Sequence, residues 1–189
     1  TASDKRYRAV MELGKISDTL DAEGTVTEGG EVNVSEADIR NAAAGFVGEY
    51  DQLPPMYSAI KKNGKKLYEL AREGIEIERE KRRVTIYKAD VTDISLPYVT
   101  LDVCCSKGTY IRSLCSDIGA DLGCGAVMTA LVRTGTCGFS LEDAYTLGEL
   151  ESMEEPERVI IPTDSLFSDL PAIELNEKQE RSIINGVRM

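Results

Sequence analysis

The stretch YVTLDVCCSKGTYIRSLCSDIGADLG, residues 98–123, carries the clearest secondary-structure pattern in the sequence. Its first part, Tyr98–Cys105, alternates between apolar and polar side chains, which is the period of a half-buried β-strand. After a turn at Ser106–Gly108, apolar residues recur at helical spacing from Tyr110 to Leu122, and a glycine follows where a helix would end. This stretch therefore predicts a strand, a tight turn and the clearest helix of the sequence.

Weaker patterns on either side predict the remaining elements. Ser35 can cap a helix in which Asp38 supplies the capping-box carboxylate. Pro54 and Pro55 remove two backbone donors and predict an ordered extended loop at Asp51–Ile60. The other expected elements are strands at Lys5–Leu13, Lys81–Val91 and Thr134–Phe139, an irregular ribbon at Asp18–Gly30, an apolar segment at Ala126–Val132, and helices at Lys65–Arg72, Leu147–Met153 and Asn176–Ile184. Because strands and helices mix without a regular βαβ alternation, the predicted fold class is α+β.

The composition excludes several classes of function. The 189 residues suffice for one domain, or for one domain and part of another. No apolar run approaches the ~18 residues of a membrane span, and the absence of histidine excludes a Ser-His-Asp triad and a His-ligated metal. The cysteines form no CxxC pair and their odd number suits a reducing compartment, so we expect buried thiols in a cytoplasmic protein. These cysteines are Cys104, Cys105, Cys115, Cys124 and Cys137.

Charge is distributed unevenly along the chain. There are 22 Lys and Arg against 33 Asp and Glu, and the resulting net charge of −11 argues against a polyanionic partner for the chain as a whole. Residues 61–88 nevertheless hold ten Lys or Arg and five Glu, a net charge of +5 within a remainder of −16. Such a basic island is typical of a local phosphate-binding element. From charge alone, a solvated surface helix and strand is the slightly favoured interpretation.

A few polar residues lie in apolar surroundings and are candidates for a functional site. Tyr7 lies in the first predicted strand, Tyr110 and Arg112 begin the main helix, and Arg133 follows an apolar run. An arginine just inside a helix that opens from a glycine turn can direct its donors at a carboxylate or a phosphate. A structural ion pair with Asp117 explains Arg112 equally well, and the sequence pattern leaves both interpretations open.

Three long strings resemble successive blocks of the bacterial tRNA pseudouridine synthase B (TruB) family, in the family's order. They are KRYRAVMELGKISDTLDAEG (Lys5–Gly24), QLPPMYSAIKKNGKKLYELAREG (Gln52–Gly74) and CSKGTYIRSLCSDIGADLGCGAVMTALVRTGTCGF (Cys105–Phe139). The resemblance implies an α+β catalytic domain with a mixed, mostly antiparallel sheet, flanking helices and an inserted RNA-clamping thumb at about residues 51–80. It also implies isomerisation of a tRNA T-loop uridine to pseudouridine.

In that reaction the uridine is flipped into a pocket, its glycosidic bond breaks, the base rotates, and C5 bonds to C1′. Flipping a base costs a few kcal/mol, which contacts inside the pocket must offset. The resemblance implies no metal and no organic cofactor. The expected partner is the T-arm of tRNA, with no membrane and no obligatory protein partner.

Site residues follow from the resemblance position by position. Tyr7 resembles the tyrosine that packs on the flipped base and is proposed to take the C5 proton, and Tyr110 and Leu131 resemble two further residues of the uracil pocket. Arg112 resembles the arginine that orients the catalytic carboxylate. Without the resemblance, Tyr7 and Leu131 would be interpreted as core residues. The expected RNA contacts are Lys61, Lys62, Lys65 and Lys66 in the thumb, together with Arg133.

One element of the family pattern is missing from these residues. The family's nucleophilic aspartate lies upstream of the KRYR block in a segment resembling G-H-T-G-x-L-D-P, and this sequence contains no such string. We therefore expect a fragment of a longer synthase: a partial catalytic domain at residues 1–165, then a linker and the start of an incomplete C-terminal RNA-binding domain at residues 166–189. We expect Arg112 to lack its carboxylate partner and the chain alone to be inactive.

Two alternatives to an enzyme stay open at this point. The first is a non-catalytic tRNA-binding or RNA-folding module, which needs the same tyrosines and the same basic island. The second is an acidic protein-interaction domain in which the resemblance reflects ancestry only. The second alternative predicts no retention of tRNA even at low salt, so the two are separable by binding measurements.

Overall fold

The computed structural model describes residues 4–62, 64–136, 138–167, 170–171 and 173–186. The chain divides into two compact units, Thr1–Ala144 and Tyr145–Met189. The family resemblance implies a domain boundary between residues 165 and 166, and this boundary stays a prediction. Across the described ranges, every helix is too short or too polar to span a lipid bilayer.

The first unit is built around an antiparallel sheet. Its described strands are β1 (Lys5–Leu13), β2 (Lys15–Ser17), β3 (Val26–Glu28), β4 (Gly48–Gln52), β5 (Lys61–Lys62), β6 (Lys65–Lys66), β7 (Arg82–Ser95), β8 (Tyr98–Cys105), β9 (Ala126–Thr136) and β10 (Phe139–Ser140). The main sheet has the order β10–β9–β1–β8–β7–β4, and β2–β3 and β5–β6 form small ribbons. All these strands pair in antiparallel fashion.

Helices supply the second layer of the first unit. The helices are α1 (Glu36–Gly45), α2 (Leu67–Arg72) and α3 (Ile111–Asp121) in that unit, and α4 (Leu147–Ser152) and α5 (Glu177–Ile184) in the second. Ser35 caps α1, and Asp38 completes the capping box, as predicted. Helices α1 and α3 bury their apolar residues in one core with alternate residues of β1, β7 and β8. The predicted α+β class with a mostly antiparallel sheet is confirmed.

The close packing of α3 on the sheet depends on one glycine. A Cβ atom on Gly119 would lie 2.2 Å from the backbone nitrogen of Ala126, at the start of β9. Only a residue without a side chain allows the helix to approach the strand this closely. The contact places the N-terminal end of α3 beside the middle of β9, where the functional candidates lie.

Most predicted elements agree with the structure, and the differences have physical reasons. The segments expected at Ala126–Val132 and Thr134–Phe139 form one strand as far as Thr136, because β9 pairs with β1 over its whole length through two register shifts. Strand β4 was not predicted because its sequence, GEYDQ, is mostly polar. It lies at the edge of the main sheet, where polar side chains remain in water.

The cysteines behave as buried thiols over the described positions. Cys105, Cys115 and Cys124 are buried, Cys104 is half-buried, and none of these four forms a disulfide. Burial raises the pKa of the Cys115 thiol to about 12, so the thiol stays protonated at neutral pH. The fifth cysteine, Cys137, lies outside the described residues.

A hydrogen bond inside the unit ties the edge strand to the main helix. The Tyr50 hydroxyl on β4 donates to the Asp117 carboxylate on α3, and the Phe46 ring packs edge-on against Tyr50 at 5.2 Å. Burial raises the pKa of both the Tyr50 phenol and the Asp117 carboxyl. Asp117 is therefore occupied by Tyr50, which makes it unsuitable as the structural partner of Arg112 that the sequence pattern left open.

Tyr50→Phe is expected to lower the free energy of unfolding by about 1–2 kcal/mol at neutral pH, because a half-buried carboxylate loses its donor. A phenol whose pKa is raised on folding contributes stability in full below its unfolded value of 10.0 and loses it at higher pH. The difference between wild type and variant should therefore shrink above pH 10 in urea denaturation. Tyr145→Phe, at an exposed tyrosine, is the control and should change neither quantity.

Candidate active site

The candidate active site is a cavity of about 300 Å³ at the N-terminal end of α3, called the site cavity below. Its lining residues are Tyr7 from β1, Asp21 from the turn between β2 and β3, Thr109, Tyr110, Ile111 and Arg112 from the start of α3, and Met128, Leu131 and Arg133 from β9. Five of these residues are ones for which the family resemblance predicts a role at the base or in RNA contact. They come from three separate regions of the sequence and are Tyr7, Tyr110, Arg112, Leu131 and Arg133. Their roles stay predictions.

The strongest polar contact in the site cavity is an ion pair between Arg112 and Asp21. The Arg112 Nη1 donates to Asp21 Oδ2 at 2.7 Å, and the two side chains are only 21% and 14% exposed. The other terminal nitrogen of Arg112 donates to the backbone carbonyl of Tyr57, in the loop between β4 and β5. The guanidinium is thus held between the β2–β3 ribbon and the β4–β5 loop.

The carboxylate of Asp21 is fixed by its own turn. The Thr19 hydroxyl donates to Asp21 Oδ1 at 2.6 Å, and the backbone N–H of Glu23 donates to the same oxygen at 3.2 Å. The turn is also anchored to β9, because the backbone N–H of Ala22 donates to the carbonyl of Met128 at 2.9 Å. Both carboxylate oxygens therefore accept hydrogen bonds in a fixed orientation.

The expectation that Arg112 lacks a carboxylate partner is wrong. The ribbon β2–β3 folds back along β9 and brings Asp21 next to a residue 91 positions away in sequence. Asp21 lies inside the block Lys5–Gly24 that carries the family resemblance, so a signal was present. The local pattern of the segment Asp18–Gly30 indicates only an irregular ribbon. Such a pattern does not reveal which distant residue a turn will contact.

Tyr110 is positioned by a buried glutamine. The backbone N–H of Tyr110 donates to Gln52 Oε1 at 2.8 Å, and Gln52 Nε2 donates back to the Tyr110 carbonyl at 3.0 Å. Gln52, at the end of β4, is 1% exposed. Since Tyr110 is the N-cap residue of α3 and has no side-chain cap, this reciprocal pair fixes the backbone from which its ring projects. Sequence reasoning did not identify Gln52.

Tyr7 and Arg133 form a second contact in the site cavity. They are paired across β1 and β9, next to a register shift. The Arg133 guanidinium lies 5.5 Å from the centre of the Tyr7 ring, and its Nη2 donates to the Tyr7 hydroxyl at 3.4 Å. Arg133 forms no ion pair with any described residue, so its positive charge remains available to a ligand beside the tyrosine.

The four predicted thumb lysines lie apart from the site cavity. Lys61 and Lys62 form β5, Lys65 and Lys66 form β6, and α2 follows directly. Lys65 pairs with Glu73 at 3.3 Å, and the Lys66 ammonium lies 5.3 Å from the centre of the Tyr68 ring. The structure does not bring these lysines together with the predicted pocket residues.

Comparison with known families and proteins agrees with this architecture. The model of the family described as "TruB family pseudouridylate synthase (N terminal domain)" matches residues 1–111, and that of the "tRNA pseudouridylate synthase B C-terminal domain" matches residues 112–168. The tRNA pseudouridine synthase B of Alkaliphilus oremlandii is 47% identical over 98% of this chain and 62% of its own length. The tRNA pseudouridine synthase B of Ralstonia nicotianae is 48% identical over 99% of this chain and 62% of its own length.

Solved structures show the same fold. A chain in the crystal structure of a Cbf5–Nop10–Gar1 complex superposes with a TM-score of 0.69 at 28% identity, covering 97% of this chain and 49% of that chain. A chain in an H/ACA RNP bound to a substrate RNA containing 2′-deoxyuridine gives a TM-score of 0.54 at 26% identity, over 82% and 38%. The fold is that of a pseudouridine synthase domain. The chain belongs to the TruB family, and it spans about three fifths of the length of the curated relatives it matches.

The Arg112–Asp21 pair is expected to contribute measurably to stability. Arg112→Met and Asp21→Asn should each lower the free energy of unfolding by about 2–4 kcal/mol, because each leaves a mostly buried group without its charged partner. The double variant should lose less than the sum, with a coupling energy of about 1–3 kcal/mol in urea denaturation.

The matched control for that cycle is the pair of Arg8 and Asp102, which has a similar distance of 2.7 Å but side chains 57% and 34% exposed. Arg8→Met with Asp102→Asn should give a coupling energy below about 1 kcal/mol, as is typical of exposed pairs. Equal coupling energies in the two cycles would contradict the structural role assigned to Asp21.

Proposed function

We propose that the domain acts in the isomerisation of a tRNA T-loop uridine to pseudouridine, and that the site cavity receives the uridine base after it leaves its stack. The observation that carries the proposal is the meeting of two phenols, a leucine and the fixed Arg112–Asp21 pair around one cavity. The relatives that match almost the whole chain are named tRNA pseudouridine synthase B, which supports tRNA as the substrate.

The walls of the site cavity suit a planar base. Tyr7 and Tyr110 offer aromatic surfaces, and Met128 and Leu131 offer apolar ones. Stacking of one base on an aromatic side chain contributes about 1–3 kcal/mol, which is comparable to the cost of flipping a nucleotide out of its stack. Leu131 is 42% exposed on β9, an unusual position for a core leucine but one that a bound base would cover.

The reaction is an isomerisation, so every atom of the uridine is retained. The C1′–N1 bond breaks, the C1′–C5 bond forms, the proton on C5 leaves, and N1 gains a proton. In this proposal Tyr7 packs on the base and its oxygen, as the phenolate, takes the C5 proton to become the phenol, while solvent supplies the proton that N1 gains. Arg133 donates a hydrogen bond to the same Tyr7 oxygen. Arg112 presents a fixed positive charge that orients the carboxylate attacking the sugar.

The 189-residue chain alone is proposed to lack that attacking carboxylate. Asp21 is the acidic residue that lines the site cavity among the described residues. Its Oδ2 accepts from Arg112 and its Oδ1 accepts from Thr19 and Glu23. Because both oxygens are occupied by donors, Asp21 is suited to positioning Arg112 and poorly suited to nucleophilic attack. The sequence contains no string resembling the family's nucleophile segment.

The chain should bind a T-arm stem–loop RNA, and Leu131→Asp should weaken that binding about tenfold, because a carboxylate at the pocket wall repels the flipped nucleotide and loses apolar contact. The control is Val132→Asp, the next residue of β9, which is similarly exposed but points to the opposite face of the sheet. Fluorescence anisotropy at fixed ionic strength measures both. Equal losses in the two variants would argue against the cavity as the base site.

The purified chain should form no pseudouridine when incubated with unmodified tRNA. Release of tritium from tRNA labelled at uridine C5 measures the reaction directly, with a full-length TruB relative as the positive control. If the chain does release tritium, Asp21→Asn decides whether Asp21 is the nucleophile. Binding without turnover matches the proposal, whereas neither binding nor turnover would favour a protein-interaction domain that has lost its RNA.

A further inference from the structure

A second cavity lies at the base of the thumb, outside the site cavity. It measures about 220 Å³ and is called the thumb cavity below. Its lining residues are Pro54, Ile60, Lys61, Lys62, Leu67, Arg79, Glu80, Lys81 and Arg82. Five of these nine carry a positive charge and one carries a negative charge, in a chain whose net charge is −11. The thumb cavity is therefore a local positive site on an acidic protein.

Three of the cations at the thumb cavity form no close ion pair with the described residues, although Lys81 interacts electrostatically with the Asp51 and Asp117 carboxylates. Lys61, Lys81 and Arg82 are exposed, and none of them forms an ion pair or a side-chain hydrogen bond with another described residue. By contrast Arg83, the next residue of β7, pairs with Asp51 at 3.0 Å and Glu49 at 3.3 Å. Like charges placed around one cavity repel one another, and an anion bound between them would reduce that repulsion.

Arg79 gives the thumb cavity a partly buried anchor. Its side chain is 17% exposed, its Nη1 donates to the Pro54 carbonyl at 3.0 Å, and its Nη2 donates to Glu76 at 3.1 Å. The Nε–H is buried and has no acceptor among the described residues. A buried donor without a partner is rare in folded proteins and calls for an explanation such as a missing ligand or ion. Glu76 is 78% exposed and so compensates the Arg79 charge weakly.

We propose that the thumb cavity binds one phosphate group, held by Arg79, Lys81 and Arg82 from the strand side and by Lys61 from the hairpin side. A guanidinium fork matches the oxygens of a phosphate, and lysines add point charges around it. The inference rests on the proposed function, because the phosphate is taken to be a backbone phosphodiester of the RNA that the domain binds. It assigns RNA contacts to Arg79, Lys81 and Arg82.

The proposed phosphate site separates the four thumb lysines into two pairs, because Lys65 and Lys66 do not line the thumb cavity. Lys61 and Lys62 border the thumb cavity, and Lys62 donates to the Glu78 carbonyl, which ties the hairpin to the segment leading to Arg79. A bound phosphate would bridge the hairpin and the start of β7. Filling the cavity therefore fixes the orientation of the thumb relative to the main sheet.

The first experiment measures T-arm RNA affinity as a function of salt. Lys81→Gln with Arg82→Gln should weaken binding at least tenfold and reduce the slope of log affinity against log salt by about 1–2, the change expected for two lost phosphate contacts. The control is Arg83→Gln with Lys88→Gln, which removes the same charge from residues already paired with carboxylates. The control should stay within about threefold of wild type. Equal effects in both variants would overturn the inference.

The second experiment tests the cavity without RNA and separates the sources of phosphate. Inorganic phosphate, compared with chloride at equal ionic strength, should raise the Tm of wild type and of the control variant by about 1–3 °C, and should not raise that of the Lys81/Arg82 variant. Equal shifts in all three proteins would refute a site at this cavity. Phosphate protection through Lys81 and Arg82 combined with unchanged RNA affinity would make it a free-phosphate site and overturn the assignment to RNA.

The two experiments also distinguish failure of the phosphate site from failure of the proposed function on which it rests. Leu131→Ala should weaken RNA binding without changing the salt slope, because the substitution changes no charge and Leu131 contacts no phosphate in the proposal. If wild type binds no T-arm RNA at all, the proposed function fails and with it the RNA source, while the thermal measurement still decides whether the thumb cavity binds phosphate.

Discussion

The ion pair between Arg112 and Asp21 is the interaction on which the rest of the site depends. It joins the start of α3 to the turn of the β2–β3 ribbon, and the same guanidinium contacts the β4–β5 loop. These three segments carry no common pattern in sequence. Because the two side chains are mostly withdrawn from water, separating them would leave unpaired charge in an apolar cavity. The pair therefore holds the cavity closed on one side, while β1 and β9 form the other side.

The sheet then determines which side chains reach that cavity. Strand β1 lies between β8 and β9, so its buried residues Ala9 and Met11 belong to the core while Tyr7 emerges at its end. The alternation along β9 places Leu131 and Arg133 on the cavity side and Val132 on the other. A pocket with aromatic, apolar and cationic walls results from the register of two strands and the position of one helix terminus.

Two cavities with different chemistry are thus built into one domain of the TruB family. The site cavity is mainly apolar and aromatic, and its Arg112 is paired with Asp21, as suits a base removed from its stack. The thumb cavity is lined mainly by cations, as suits the nucleic-acid backbone. In the function proposed above, separate sites for base and phosphate let a chain with a net charge of −11 bind RNA, because its positive charge is concentrated where the RNA backbone is expected.

Sequence patterns were sufficient to predict the elements whose signals are local. The alternation in Tyr98–Cys105, the helical period of α3 and the capping box at Ser35 predicted β8, α3 and α1 because neighbouring residues alone set those patterns. The folded structure was needed to show that Asp21 contacts Arg112 across 91 positions, that Gln52 fixes Tyr110, and that Arg79 lies beside other cations. Such contacts depend on how ribbons and loops fold back over a sheet, which side-chain periodicity along the chain does not encode.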